Sequence, residues 1–354
     1  PLFLGFLHGV NFFWTMNIMP HMLVCRTEHK LPDGLKKKLA YSCDVDDDAV
    51  IEASDAKSIY AVPNGFVNEG ILNPIAKHFK LDEIKPNMRD WNRLVDNIVE
   101  PKDEMNVAFV GKYLELKEAY KSLIEALIHS GAHLNTKVKI NWCDSEEIET
   151  KGAKEIIGNS DCVLVAGGFG HRGVEGKIEA IKFARENNIP YLGICLGMQL
   201  ALIEYLRNVV GIKDATSVEF DTNAKEPAIY LIEQFLDTAG VEQVRTTKSA
   251  MGGTMRLGSY PFESKPGSNL ETAYGAGISS ERHRHRYEAN PEYKQRLEDA
   301  GMIITGESNG LIEVVEIPEH KWFTGVQFHP EFTSSLETPN PIIHEFMKAG
   351  KANR

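Results

Sequence analysis

Residues 189–206 read IPYLGICLGMQLALIEYL, an apolar run that passes into a helical pattern with no loop between, and Cys195 stands at the junction between Gly193 and Gly197. A strand that turns straight into a helix brings the first helical turn against the strand's own backbone, and glycines at the flanking positions remove the side chains that would crowd it. The N–H groups of that turn point back at the bend, and the helix dipole favours a thiolate, the reactive form of cysteine. A lone cysteine is ordinarily a small buried hydrophobe. The G-x-C-x-G setting at a strand-to-helix bend reads instead as a nucleophile elbow built on sulfur.

Around the bend the chain alternates strand-like and helix-like stretches. NVAFVG (106–111) reads as a buried strand, and LKEAYKSLIEALIHSGA then places Leu116, Tyr120, Leu123, Leu127 and Ile128 on one helical face, with Gly131 expected to stop the helix. VKINWC (138–143), DCVLVAGG (161–168) and IPYLGI (189–194) read as further strands, with helices over KIEAIKFARENN and from Leu196 onward. This alternation predicts an α/β fold, a doubly wound and mostly parallel sheet with flanking helices. Later, MIITGESNGLIEVVEIP pairs two β-rich runs around Asn309-Gly310, a hairpin signal, and WFTGVQFHPEF follows as another strand and its exit.

Upstream, LDEIKPNMRDWNRLVDNIVEPKDEM (81–105) is charged and punctuated by Pro86 and Pro101, and it reads as a linker between a region at 1–80 and a domain at 106–350, with the boundary near Pro101. A length of 354 residues, 42% of them hydrophobic, is enough for one large or two medium domains. The formal net charge of -11 offers no electrostatic footprint for nucleic acid, so the basic cluster RHRHR at 282–286 has to act locally. Cys25, Cys43, Cys143, Cys162 and Cys195 are odd in number and scattered, which speaks against a disulfide scaffold and for a reducing, cytoplasmic setting. The opening run PLFLGFLHGVNFFWTMNIM is apolar but interrupted by His8, Asn11 and Asn17. It is expected to be a buried element cut from a longer chain, and no membrane partner is expected.

A thiolate at the elbow needs a base and a group that orients the base. QFHPEF places His329 and Glu331 just after a strand, with Pro330 fixing the backbone between them, so that both side chains can face one region. Alone, such a tripeptide is more often a surface histidine beside a solvated glutamate; in a chain with the elbow it completes a candidate Cys195–His329–Glu331 triad. AGGFGHRG (166–173) carries G-x-G-x-x-G at Gly168, Gly170 and Gly173, which invites a dinucleotide-binding reading. The next strand ends in Cys195, however, and not in the acidic residue expected about 20 residues on. The glycine-rich turn is better suited to bring backbone N–H donors to an oxyanion, from Gly168 together with Leu196. No metal site is expected.

PYLGICLGMQ, GGFGHRGVEGK, GGTMRLG, ERHRHRYE and QFHPEF together resemble the class I glutamine amidotransferase domain of the CTP synthase family, from about Asn106 to about Ala349. MLVCRTEH, KKKLAYSCDV and AKSIYAVP, within about Met19 to Lys80, are similar to the last part of that family's synthetase domain. The resemblance implies a glutaminase. Cys195 would attack the side-chain amide of L-glutamine, Gly168 and Leu196 would hold the oxyanion, His329 would protonate the departing ammonia, and Glu331 would hold the imidazole. By the same carry-over, glutamine would be bound by Gly168, Leu196, Gly197, Met198, Gln199, Glu219 and Arg286, with Arg284 the alternative to Arg286. Charge chemistry agrees, since a zwitterion needs an anion for its ammonium and a fork-shaped cation for its carboxylate.

The resemblance also implies ATP-dependent amination of UTP to CTP in the complete enzyme, a homotetramer that uses ATP and Mg²⁺ and has GTP as activator, whereas the glutaminase domain needs no cofactor. The sequence holds no G-x-x-x-x-G-K-[ST], so the ATP-binding part of the synthetase domain is expected to be missing and residues 1–354 alone to run the glutaminase half reaction. Two other readings remain at this point. One is a stand-alone γ-glutamyl hydrolase or thioesterase with the same elbow, and the other is a non-catalytic remnant that assembles with complete CTP synthase subunits.

Overall fold

A computed structural model describes residues 10–354 apart from 11, 33, 113, 115, 232, 233, 237–241 and 245–254. Most of the apolar opening run, at 1–9 and 11, and residues 252–254 of GGTMRLG lie outside the described residues. The chain divides between Pro101 and Lys102 into two compact units.

In the first unit, strand β1 (Leu23–Thr27), helix α1 (Leu35–Cys43) and strand β2 (Val50–Ser54) form a right-sized βαβ crossover, with β1 and β2 paired in parallel. Leu23, Cys25, Leu39, Ala40, Cys43 and Val50 make its core. Three helices follow, α2 (Val62–Asn68), α3 (Leu72–Phe79) and α4 (Arg89–Val99). Helix α4 corrects the expectation of a linker over 81–105. It buries Leu94 and Val95, and the indole N–H of Trp91 donates to the Tyr60 carbonyl at 2.8 Å. Trp91, Leu94 and Val95 have i, i+3, i+4 spacing, which the surrounding charges and prolines masked.

The second unit begins at β3 (Asp103–Gly111), within the supposed linker, and continues through α5 (Lys121–His133), β4 (Thr136–Asp144), α6 (Ser145–Lys151), α7 (Ala153–Ile157), β5 (Cys162–Val165), α8 (Val174–Glu186), β6 (Tyr191–Ile194) and α9 (Leu196–Tyr205). After α9 come β7 (Ala215–Ser217), β8 (Glu226–Leu231), β9 (Gln234–Leu236), β10 (Glu242–Val244), β11 (Arg256–Ser264), α10 (Asn269–Tyr274), β12 (Ile278–His285) and β13 (Tyr287–Ala289). The unit ends with α11 (Lys294–Asp299), β14 (Ile303–Ser308), β15 (Leu311–Glu316), β16 (Phe323–Val326) and α12 (Pro341–Ala352).

Nine of these strands form one sheet in the order β12-β11-β14-β15-β16-β6-β5-β3-β4. Pairing is parallel from β16 through β6, β5 and β3 to β4, and the antiparallel strands extend the sheet from β16 outward. Period-two alternation sends Ala108, Val110, Val163 and Val165 to one face, against α8 and α9, and Val107, Phe109 and Leu164 to the other, against α5 and α12. The expected α/β sheet with helices on both faces is thus present. The hairpin is present too: Asn309 (φ 50°) and Gly310 (φ 79°) both take the left-handed conformation that a two-residue turn of this hand needs.

Two expectations about α5 are corrected. Leu116 is 65% exposed and precedes the helix, whereas Leu123 and Leu127 are buried as expected, with Ala126 beside them and Tyr120 packed against the same core. Gly131 does not stop the helix but lies inside it, where a Cβ would come 2.7 Å from the Thr136 carbonyl oxygen and 2.8 Å from Val138 Cγ2. The glycine lets the helix lie against the start of β4, so it marks a close approach rather than a stop.

Candidate active site

Strand β6 ends at Ile194 and α9 starts at Leu196, which leaves Cys195 alone to make the bend, with φ 53° and ψ -104°. A side chain held at positive φ costs about 1–3 kcal/mol, and the surrounding structure has to enforce it. It does so with two bonds: Cys195 N–H donates to the Val326 carbonyl at 2.7 Å, and Gln199 N–H donates to the Cys195 carbonyl at 3.2 Å. The glycines on either side are required by space. A Cβ on Gly193 would sit 2.7 Å from the carbonyl carbon of Gly197, and one on Gly197 would sit 2.3 Å from the Val165 carbonyl oxygen.

Parallel pairing of β6 with β16 sets Ile194 opposite Val326, so the chain leaving β16 passes beside the elbow. His329 lies on that exit, its N–H donating to the Arg282 carbonyl at 2.8 Å and its ring stacked on Phe332. Its Nδ1 is 2.8 Å from Glu331 Oε1. Its Nε2 is buried and hydrogen-bonds to no described atom. His329 and Cys195 face each other across Gly167, where a Cβ would lie 3.3 Å from His329 Cε1 and 3.5 Å from Cys195 Cβ. Burial by itself would depress the imidazole, but the Cys195 sulfur and Glu331 outweigh it and raise His329 to about 10. Glu331 on one ring nitrogen thus helps hold the imidazole charged beside the sulfur of Cys195.

The glycine-rich turn runs over this pair. Leu196 is the first residue of α9, so its N–H has no acceptor within the helix, and Gly168 lies next to it, its Cβ position 3.8 Å from Leu196 Cδ2. Glu219 is half-buried and accepts from the Gly170 N–H at 2.7 Å; burial raises its pKa, opposed by that bond and by Lys112. The Tyr287 hydroxyl is raised by burial first, then by the charge of Glu219, while Arg286 opposes, so both of these charged residues are near Tyr287. Arg284 is exposed on β12, whereas Arg286, just past the strand's end, is buried. The two arginines thus differ in burial, Arg286 being enclosed beside Tyr287 and Arg284 open to solvent.

Within the first turn of α9, Met198 is fully buried, and a Cβ on Gly325 of β16 would meet its Cγ at 3.0 Å, so only its main chain can meet a ligand. Gln199 is buried as well, with Nε2 donating to the Tyr287 carbonyl and to Gln327 Oε1, each at 2.9 Å. Its Oε1 is the atom left for a substrate donor.

Two residues near the elbow escaped the sequence reading. Lys177 of α8 is 1% exposed, its Nζ donating to the Ala166 carbonyl at 3.1 Å and lying 3.8 Å from the Cβ position of Gly168. Burial, and then the charge of Lys112, lower it to about 7, against an opposing pull from Cys195. Its signal was available, since Lys177 falls among Val174, Ile178 and Ile181 on the buried face of α8. Gln327 is fully buried, with Nε2 3.7 Å from Cys195 Sγ. Nothing in a linear sequence marks it.

Residues 115–349 match the family described as glutamine amidotransferase class-I, and residues 6–81 match the one described as CTP synthase N-terminus. The chain is 61% identical over 343 residues to a CTP synthase of Sulfurimonas denitrificans, a match that covers 97% of this chain and 63% of that protein. It is 59% identical over 342 residues to a CTP synthase of Wolinella succinogenes, covering 96% of this chain and 62% of the relative. The chain thus spans less than two thirds of the length of these relatives. Among solved structures it is similar to the Trypanosoma brucei CTPS glutaminase domain with bound acivicin, at 38% identity and a TM-score of 0.63, over 70% of this chain and 94% of that one. No helix among the described residues is long and apolar enough to cross a membrane.

Proposed function

Since this chain belongs to the class-I glutamine amidotransferase family, we propose that its second unit hydrolyses the side-chain amide of L-glutamine to glutamate and ammonia, with Cys195, His329 and Glu331 as a catalytic triad. The observation that carries this reading is the meeting of Cys195 and His329 across Gly167, with Glu331 on the other nitrogen of the same imidazole. The thiolate attacks the amide carbon, a C–S bond forms, and the carbonyl electrons move to oxygen, where the N–H groups of Gly168 and Leu196 receive them. Collapse breaks the C–N bond, and the imidazolium gives its proton to the leaving nitrogen, releasing ammonia and leaving a γ-glutamyl thioester. Water then attacks the thioester while His329 takes its proton, and cleavage of the C–S bond returns the thiolate–imidazolium pair. Glu331 keeps Nδ1 occupied throughout, which aims Nε2 at the reacting atoms. Glu219 receives the substrate's ammonium and Arg286 its carboxylate, while Gly197, Met198 and Gln199 border the substrate from the first turn of α9.

In the larger reaction we place the ammonia in ATP-dependent amination of UTP to CTP, a step of pyrimidine nucleotide biosynthesis, within a cytoplasmic homotetramer whose glutamine hydrolysis GTP activates. The high identity to CTP synthases supports this, and five unpaired cysteines fit a reducing compartment. ATP with Mg²⁺ would supply phosphoryl activation of UTP. Among the described residues no group of three or more His, Cys, Asp and Glu side chains is arranged to hold a metal ion, and no step through ATP or Mg²⁺ is assigned to them.

The deciding experiment measures glutamate release from free glutamine and from γ-glutamyl peptides by the purified chain and its Cys195→Ala variant. Release from free glutamine that the alanine variant lacks supports the reading. Preference for the peptides would make the chain a γ-glutamyl hydrolase, and turnover equal in the two proteins would remove Cys195 from the chemistry.

A further inference from the structure

Gln327 touches the sulfur of Cys195, and its orientation is fixed from a distance. The two ends of a primary amide have nearly the same shape, so which end faces a neighbour depends on the hydrogen bonds at the other end. Here the backbone carbonyl of Tyr287 starts the chain of bonds, because a carbonyl can only accept. It takes one hydrogen from Gln199 Nε2 at 2.9 Å, and the same nitrogen donates its second hydrogen to Gln327 at 2.9 Å. Gln327 must therefore present its oxygen to Gln199, which turns its Nε2 toward Cys195 Sγ, 3.7 Å away. The main chain of Gln327 is held as well, its N–H donating to the Glu313 carbonyl at 2.8 Å. Both glutamine side chains are buried, so water does not compete for these bonds.

We propose that Gln327 is a thiolate-stabilising residue, an N–H donor to Cys195 whose polarity is set through Gln199 by the Tyr287 carbonyl. This rests on Cys195 being the nucleophile. A donor held against sulfur stabilises S⁻ over S–H, since the thiol gains little from accepting while the anion gains a charge-assisted bond. His329 and Gln327 then divide the work. The imidazolium supplies charge and the transferable proton, and the amide supplies a fixed dipole that holds no proton to lose and acts at any pH. Between them they account for a reactive sulfur at a buried bend.

The test is the pH dependence of alkylation at Cys195 by iodoacetamide, in the whole chain, followed by the mass of the peptide that carries Cys195. Gln327→Glu keeps the shape and replaces the donor with a carboxylate, and the midpoint of the rate–pH curve should rise by about one pH unit or more, giving about tenfold slower labelling below the midpoint. Gln327→Met removes the donor without adding charge and should move the midpoint the same way by less. A role confined to packing would lower thermal stability and leave the midpoint in place, so an unchanged midpoint in either folded variant overturns the proposal. If wild-type Cys195 labels no faster than buried Cys143 or Cys162, the nucleophile reading fails, and this one falls with it.

Discussion

His329 and Cys195 both close on Gly167, where a Cβ would press on His329 Cε1 at 3.3 Å and on Cys195 Cβ at 3.5 Å. Gly167→Ala should therefore leave the fold standing, because each neighbour has to yield only a few tenths of an ångström, while it changes the spacing of base and sulfur. Misplacement of reacting groups by about 1 Å can cost about a hundredfold. A kcat lowered at least tenfold with thermal unfolding nearly unchanged is the expected pattern, and wild-type kcat in the variant would show that this spacing is not critical.

Replacing the nucleophile in two ways separates chemistry from strain. Cys195→Ala and Cys195→Gly both abolish activity, but only the glycine variant is free of the Cβ that φ 53° and ψ -104° disfavour. Relief of about 1–3 kcal/mol exceeds the roughly 0.5–1 kcal/mol that glycine costs in chain entropy. Urea unfolding should place Cys195→Gly about 1 kcal/mol above Cys195→Ala, and the reverse order would mean that the bend is not strained.

Recognition of the amino-acid end of glutamine should show in KM. Glu219→Gln and Arg286→Ala each remove a charge-assisted contact, at about 1.5–3 kcal/mol, which is roughly ten- to a hundredfold in KM with kcat less affected. Arg284→Ala, at an exposed position on β12, serves as the control and should leave KM alone. The opposite result for the two arginines would exchange their roles.

Lys177 gives a pH signature in stability. Burial holds its ammonium at about 7, against an ordinary 10.5, so between those values the unfolded chain binds a proton that the folded one does not. In that window stability contributed by this group rises with pH; below about 7 both states are protonated and the full penalty stands. Lys177→Met escapes the penalty, so its unfolding free energy relative to wild type should fall by roughly 1–3 kcal/mol between pH 7 and pH 10. His329, raised to about 10, loses its contribution as pH climbs over much of this range, but it does so in both proteins and cancels in the comparison. A difference independent of pH would mean that the Lys177 amine is not depressed.

What the sequence disclosed was what depends on neighbours in the chain. The elbow was legible because Gly193, Cys195 and Gly197 carry the whole steric requirement within five residues, and the hairpin because Asn309 and Gly310 supply both left-handed positions. Helix α4 was hidden by flanking prolines and charges that outweighed three apolar positions. Gly131 was misread because its reason, the Thr136 carbonyl, depends on how α5 lies against β4. Arg286 parts from Arg284 only where the alternation of β12 ends, and Gln327 meets the sulfur only because β16 pairs with β6, which no local pattern announces.

That pairing also sets an order of events. Cys195 is anchored to Val326 by a backbone bond, and its base lies three residues farther along, more than 130 positions after the cysteine in the order of synthesis. While a ribosome is still making residues 196–328, the elbow lacks the full strand that pins it and the imidazole of His329, the base proposed for it. On the proposed triad, then, the nascent elbow waits for residues 196–329 before its site is complete, and the sulfur gains its base only once β16 has joined the sheet.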